Sequence, residues 1–229
     1  ASAVGKWAEG PTHWSQARRD SAEIAPSPET TPEAVIQVYA ARAWSWRGIF
    51  GVHTWISAKQ PNADHYTRFE VMGLQLRHSD TAVRVTNRNP DGYWFGSKPE
   101  LLRDIRGPEA EALIPRITAA ARSYPHAGTY RVWPGPNSNT FTAHIARQVP
   151  ELRLDLPPTA VGKDFIPEGG IFAEAPSGTG YQLSLFGLIG VMLALEEGVE
   201  VNVLGLTLGI DLKNPALKLP GVGRIGMQD

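Results

Sequence analysis

The sequence contains no cysteine. That removes disulfides, thiolate-ligated zinc, iron–sulfur clusters and any thiol nucleophile, and it leaves the redox compartment open. Charge excess is also missing: 22 Lys and Arg stand against 23 Asp and Glu, a formal net charge of −1. Without a basic field of the kind that phosphate-backbone binding needs, no nucleic-acid partner is expected. No apolar run reaches the roughly 18 residues of a membrane-spanning helix, and the start Ala1-Ser2-Ala3-Val4-Gly5-Lys6 has no charged flank followed by an apolar stretch. The histidines, His13, His53, His65, His78, His126 and His144, show no H-x-x-x-H spacing and no carboxylates at ligand distance in the chain, so neither a metal nor a cofactor is expected.

What is abundant is core and turn material. At 42% hydrophobic and 20% charged, 229 residues can bury a substantial core, and 23 glycines with 19 prolines imply many turns. Residues 1–34 read as an arm, with Trp7, Trp14, Arg18-Arg19 and the proline-broken stretch Ala25–Pro32. Apolar, β-rich segments follow at 35–41, 50–57, 66–72 and 82–86, with a shorter piece at Tyr93–Phe95. The second and third are joined by the turn residues Gln60-Pro61-Asn62-Ala63-Asp64, which favour an antiparallel hairpin. Pro108-Glu109-Ala110-Glu111 opens a helix continued by Leu113, Ile114, Ile117 and Ala121, with Pro115 demanding a kink or a later start. A second helix is predicted from Asn137-Ser138-Asn139-Thr140 through Phe141, Ile145 and Val149 to Pro150.

The expected class is therefore α+β, an antiparallel sheet packed on helices over 35–150. An extension at 151–229 is expected to pack on the same domain. Within it, 182–196 and 199–212 read as two long strands of one hairpin, with Leu183, Leu185, Ile189, Val191 and Leu193 on a strongly apolar face. The favoured account of that face is cover for the domain's own core, with a homo-oligomer interface or a membrane contact through 182–212 as the alternatives. Gly221-Val222-Gly223-Arg224-Ile225-Gly226 spells the dinucleotide fingerprint but lacks the following helix and acidic residue that the chemistry needs.

Three polar positions carry the chemical reading. His53 interrupts the apolar strand Val52-His53-Thr54-Trp55, where an unpartnered polar group costs a few kcal/mol. Ser138 lies at a helix start, where unpaired N–H groups cap a side chain or hold an oxyanion. Glu70 lies on the strand paired with that of His53 and is placed to orient an imidazole.

These residues carry a resemblance. Val35–Tyr39, Gly48–Trp55, Phe69–Gly73 and Tyr130…Asn137-Ser138-Asn139-Thr140-Phe141 resemble the circularly permuted papain-like, NlpC-type superfamily, with its PPPDE and lecithin:retinol acyltransferase-like branches. There a base histidine strand, an orienting polar residue and a cysteine at a helix start follow in that order. Over most of its length the chain is also similar to an uncharacterised bacterial family known as domain of unknown function 3750, through Trp46–Trp55, Tyr130–Phe141 and Leu154–Ala160.

The papain-like resemblance implies His53 as base, Glu70 as orienter and Ser138 as nucleophile in place of cysteine, with Tyr130, Trp133, Asn137, Asn139 and Trp55 lining a substrate site. A serine cannot rest as a thiolate-like ion pair, so the implied reaction is acyl transfer or hydrolysis of an amide or ester with His53 as general base. The implied partner is a peptide- or lipid-like acyl substrate. Loss of the nucleophilic sulfur equally implies a catalytically inactive binding or assembly protein that oligomerises or contacts a membrane. The same family resemblance implies a periplasmic or otherwise extracytoplasmic setting, with the cytoplasm as alternative.

Overall fold

A computed structural model describes residues 13–226; Trp7 and the start of the arm lie outside the described residues. The first half is an antiparallel sheet of β1 (Val35–Arg42), β2 (Val52–Lys59), β3 (Thr67–Val71), β4 (Val83–Thr86) and β5 (Glu100–Arg106), in the order β4-β3-β2-β1-β5. The β2–β3 hairpin forms at the expected turn, with Asn62 in the left-handed region. Tyr93–Phe95 is not a strand: Trp94 makes an isolated bridge to Ser97, and Gly92 just before the segment makes another to Ser21. The fifth strand is instead Glu100–Arg106, an edge strand whose charged residues and register shift against β1 hide the alternation that marks strands β1 to β3.

Two helices, α1 (Pro108–Arg122) and α2 (Ser138–Gln148), pack on one face of this sheet. Ile36 and Val38 of β1, Ile56 of β2 and Phe69 and Val71 of β3 point to them and meet Ile114, Ile117, Phe141 and Ile145. Helix α1 begins at Pro108 and continues through Pro115. Pro115 lies on the exposed side of α1, where water can take the carbonyl its missing N–H leaves behind. The opposite sheet face carries Tyr39, Ala41 and Trp55, flanked by Leu101 of β5 and packed against Ile24 of the arm and Trp94.

The C-terminal part departs from the expected hairpin. Its two long strands are four, β7 (Gly180–Leu185), β8 (Ile189–Ala194), β9 (Gly198–Val203) and β10 (Leu206–Asp211), within a seven-strand meander that runs from β6 (Phe172–Glu174) to β11 (Ala216–Leu219) and β12 (Gly223–Gly226). The breaks fall at Phe186-Gly187 and Leu204-Gly205, all four with positive φ, the twist that tight antiparallel turns require. The apolar run hid them. The Gly221–Gly226 fingerprint belongs to this sheet and supports no helix.

The orientation of the meander also overturns the expected one. Its polar side is buried and its apolar side is exposed. Glu200 of β9 lies between two ammonium groups, with Oε2 2.5 Å from Lys163 Nζ and Oε1 2.8 Å from Lys218 Nζ. Lys163 also donates to Asp164 at 2.9 Å, and Lys218 to Asp155 at 2.7 Å. Asn202 and Thr207 donate to the other oxygen of Asp164, at 3.1 and 3.3 Å. Arg147 at the end of α2 donates to Gln182 of β7 at 3.1 Å. The meander is thus joined to the α+β half by charges, not by its leucines.

Removing one partner of a buried ion pair strands the others, at a cost of about 3–5 kcal/mol. Glu200→Gln leaves two buried ammonium groups facing a neutral amide, and urea denaturation should show a stability loss of about that size.

Candidate functional site

The backbone alternates side chains across a sheet, and in β2 this decides the fate of the expected catalytic pair. Thr54 faces the helices: its hydroxyl donates to Asn139 Oδ1 at 3.0 Å and sits 2.9 Å from Thr142 Oγ1, both on α2. His53, one residue earlier, therefore faces the other way. It is buried, with its ring stacked on Trp94 at a centroid distance of 3.5 Å and an interplanar angle of 5°. Ser138 begins α2 on the helix side of the sheet, so the structure does not bring it together with His53. Among the described residues its hydroxyl makes no hydrogen bond.

The start of α2 is already occupied by its own cap. Asn137 Oδ1 accepts from the N–H groups of Asn139 and Thr140 at 2.9 and 3.2 Å, and Thr140 Oγ1 accepts from the Asn137 N–H at 3.1 Å. The donors expected to form an oxyanion hole are spent in this capping box. Asn137 Nδ2 and Asn139 Nδ2 both donate to the Val161 carbonyl, at 2.9 and 2.8 Å, and Asn139 Nδ2 reaches the Val52 carbonyl at 3.0 Å. The Val52 N–H in turn donates to the Thr159 carbonyl at 3.0 Å. The three segments Trp46–Trp55, Tyr130–Phe141 and Leu154–Ala160 thus converge on a structural junction.

The other expected lining residues are also structural. Trp55 is fully buried, donates to the Pro90 carbonyl at 2.6 Å and stacks on Tyr39. Tyr130 packs on the helix-side core with its ring against Gly73. Trp133 is half exposed and donates at 2.8 Å to the Leu204 carbonyl in the meander.

What the structure does assemble is His53 with Glu70, at 3.4 Å, and around them a group the sequence reading missed. Arg68 donates from Nη2 and Nε to Glu70 Oε2 at 2.8 and 3.1 Å, and its guanidinium lies 4.0 Å above the Trp55 ring. Arg84 and Arg88 approach Glu70 Oε1 at 3.8 and 3.7 Å. The available signal was the pairing of Glu70 with Arg84 across β3 and β4, which requires the register. Burial holds His53 below its ordinary value despite Glu70, so the ring is neutral at pH 7 and its Nε2–H donates to the carboxylate. Burial also pushes Glu70 upward, but the His53 hydrogen bond and the charges of Arg68 and Arg84 prevail and leave it at about 2.

A family model described as Protein of unknown function (DUF3750) matches residues 33–165. The chain belongs to that family. The DUF3750 match takes in the five-stranded sheet, both helices, the junction and the buried Lys163-Asp164 pair, and stops before the meander. No curated protein and no solved structure matches the chain, so no named relative supports the papain-like resemblance. Among the described residues no group of three or more potential metal ligands forms, and no helix is long and apolar enough to cross a membrane.

Two outcomes are expected. A fluorophosphonate probe leaves Ser138 unmodified in intact-mass spectra of the folded protein; a single adduct lost in Ser138→Ala would show that serine and base do meet. Because Glu70 titrates below its ordinary 4.5 in the folded state, the stability it contributes is complete above pH ~4.5 and drains away as pH falls toward 2. Thermal unfolding should show the advantage of the wild type over Glu70→Gln shrinking across that window.

Proposed function

We propose that this DUF3750 protein is a catalytically silent assembly protein whose meander pairs face to face with that of a second copy. The order of His53 strand, Glu70 strand and Ser138 helix matches the papain-like resemblance, but the catalytic pairing is lost across the sheet.

The observation that carries the proposal is the apolar face. Cross-strand register lines its side chains into three rows: Tyr181, Leu193, Val199, Ile210, Leu217 and Ile225; then Phe172, Leu183, Val191, Val201 and Leu208; then Leu185, Ile189, Val203 and Leu206. All of them are exposed. Seven strands of three to six residues, spaced ~4.8 Å apart and rising ~3.3 Å per residue, present an area of roughly 550 Å². That is at the upper end of what a monomer leaves bare, about 300–600 Å².

Two such faces stacked as a sandwich at ~10 Å would remove about 1,100 Å² from water, just above the roughly 1,000 Å² that a specific interface needs. The three rows contain no Lys or Arg, whereas surfaces that settle on a bilayer combine an apolar face with basic flanks. The register also favours a self-complementary partner, since an isologous contact needs only one surface to suit itself.

Val201 occupies the middle row, between Val191 and Leu208. Val201→Asp should convert a dimer to a monomer in analytical ultracentrifugation with the circular dichroism spectrum unchanged. A wild-type monomer at tens of micromolar, or one that sediments with phosphatidylcholine vesicles, would overturn the reading.

A further inference from the structure

On the side of the five-stranded sheet away from the helices, the arm and the 87–97 loop enclose an open cleft of about 940 Å³. Arg68, Arg84 and Arg88 line it, with Tyr93 and Trp94 among its aromatic walls. We propose that this cleft binds a small molecule that carries a phosphate monoester beside a flat ring.

The cleft floor holds unspent donors. Three guanidinium groups gather around one carboxylate, and that carboxylate makes its hydrogen bonds with Oε2 only, from Arg68 and His53. Glu70 Oε1 is buried without a hydrogen bond, although Arg84 and Arg88 stand 3.8 and 3.7 Å away. Among the described residues the Arg88 side chain makes no hydrogen bond, and Arg84 Nη1 donates to the weak acceptor Met72 Sδ, at 2.7 Å. Each guanidinium carries five donors. Three positive charges against the single one of Glu70 leave an excess of two, the charge of a phosphate monoester, and the fork of Arg suits its oxygens.

The lining also holds Arg19 and the acids Glu23, Asp64 and Asp91, and the excess of two belongs to the arginine cluster around Glu70. Asp91 is taken up by the arm, accepting from Ser21 Oγ at 2.7 Å and from the N–H groups of Ile24 and Ala25. Asp64 is exposed and pairs with His65, and Glu23 belongs to the arm. A volume near 940 Å³ is at the large end of small-molecule sites, so the anionic group leaves room for the ring against Trp94. This site is independent of the meander face and of the proposed dimer.

Calorimetric titration at fixed ionic strength with phenyl phosphate, inorganic phosphate, benzoate and phenol tests the assignment. Phenyl phosphate should bind the wild type, at least ten-fold tighter than benzoate and inorganic phosphate, with phenol weaker still. Arg88→Ala, at an exposed side chain, should weaken it ten-fold or more, Arg88→Lys should recover part of the loss, and Arg122→Ala on α1 should leave it unchanged. The proposal fails if phenyl phosphate gives no saturable heat up to 10 mM, if Arg88→Ala binds as the wild type does, or if benzoate or inorganic phosphate binds equally well.

Discussion

Glu200 lies between Lys163 and Lys218, and the arrangement of the whole C-terminal half follows from that contact. An ammonium group cannot stay buried without a partner, so the segment that carries Lys163 must meet the polar side of the meander. That side can face inward only if the other faces out. A one-residue shift in any strand would exchange the two faces, bringing the leucines inward and leaving Lys163, Asp164 and Arg147 buried against them. Two lysines, Glu200, Asp155 and Asp164 therefore outweigh the pull of the apolar rows toward the core. Burial and the neighbouring Glu200 raise Asp155 above its ordinary value even beside Lys218.

The same alternation explains why the serine and the histidine do not meet. Val52-His53-Thr54-Trp55 is a continuous strand, and Thr54 is committed to α2 through Asn139 and Thr142. His53 then has no choice of face. It finds Glu70 and Trp94 instead, and the polar group that interrupts an apolar strand is satisfied by a carboxylate that Arg68 also holds. A histidine that needs a partner had found one for structural reasons.

The molecule thus presents two surfaces of opposite character. One is a largely apolar sheet face with Glu174 at its edge, suited to its own copy. The other is a cleft whose floor gathers three arginines around one carboxylate and whose walls are aromatic rings. They sit on different sheets.

Strands β1 to β4, both helices and the apolar face at 182–212 were legible because each depends on local pattern: alternation, proline and glycine punctuation, and the Asn-Ser-Asn-Thr helix start. Strand β5 was not, because its charges and bulge erase the alternation, and the four-strand division of 180–211 was not, because the turn residues Phe186 and Leu204 are as apolar as the strands they separate. His53 and Glu70 were legible as a pair, but Arg84 and Arg88 come to Glu70 only through the register of β3 and β4. By itself the sequence determined the class of fold, the positions of most elements and which residues share a face, since these follow from periods of 2 and 3.6 residues. Which face turns inward was left to the tertiary structure, because that choice rests on charges distant in the chain, Lys163 with Glu200 and Lys218 with Asp155, whose pairing no local pattern announces.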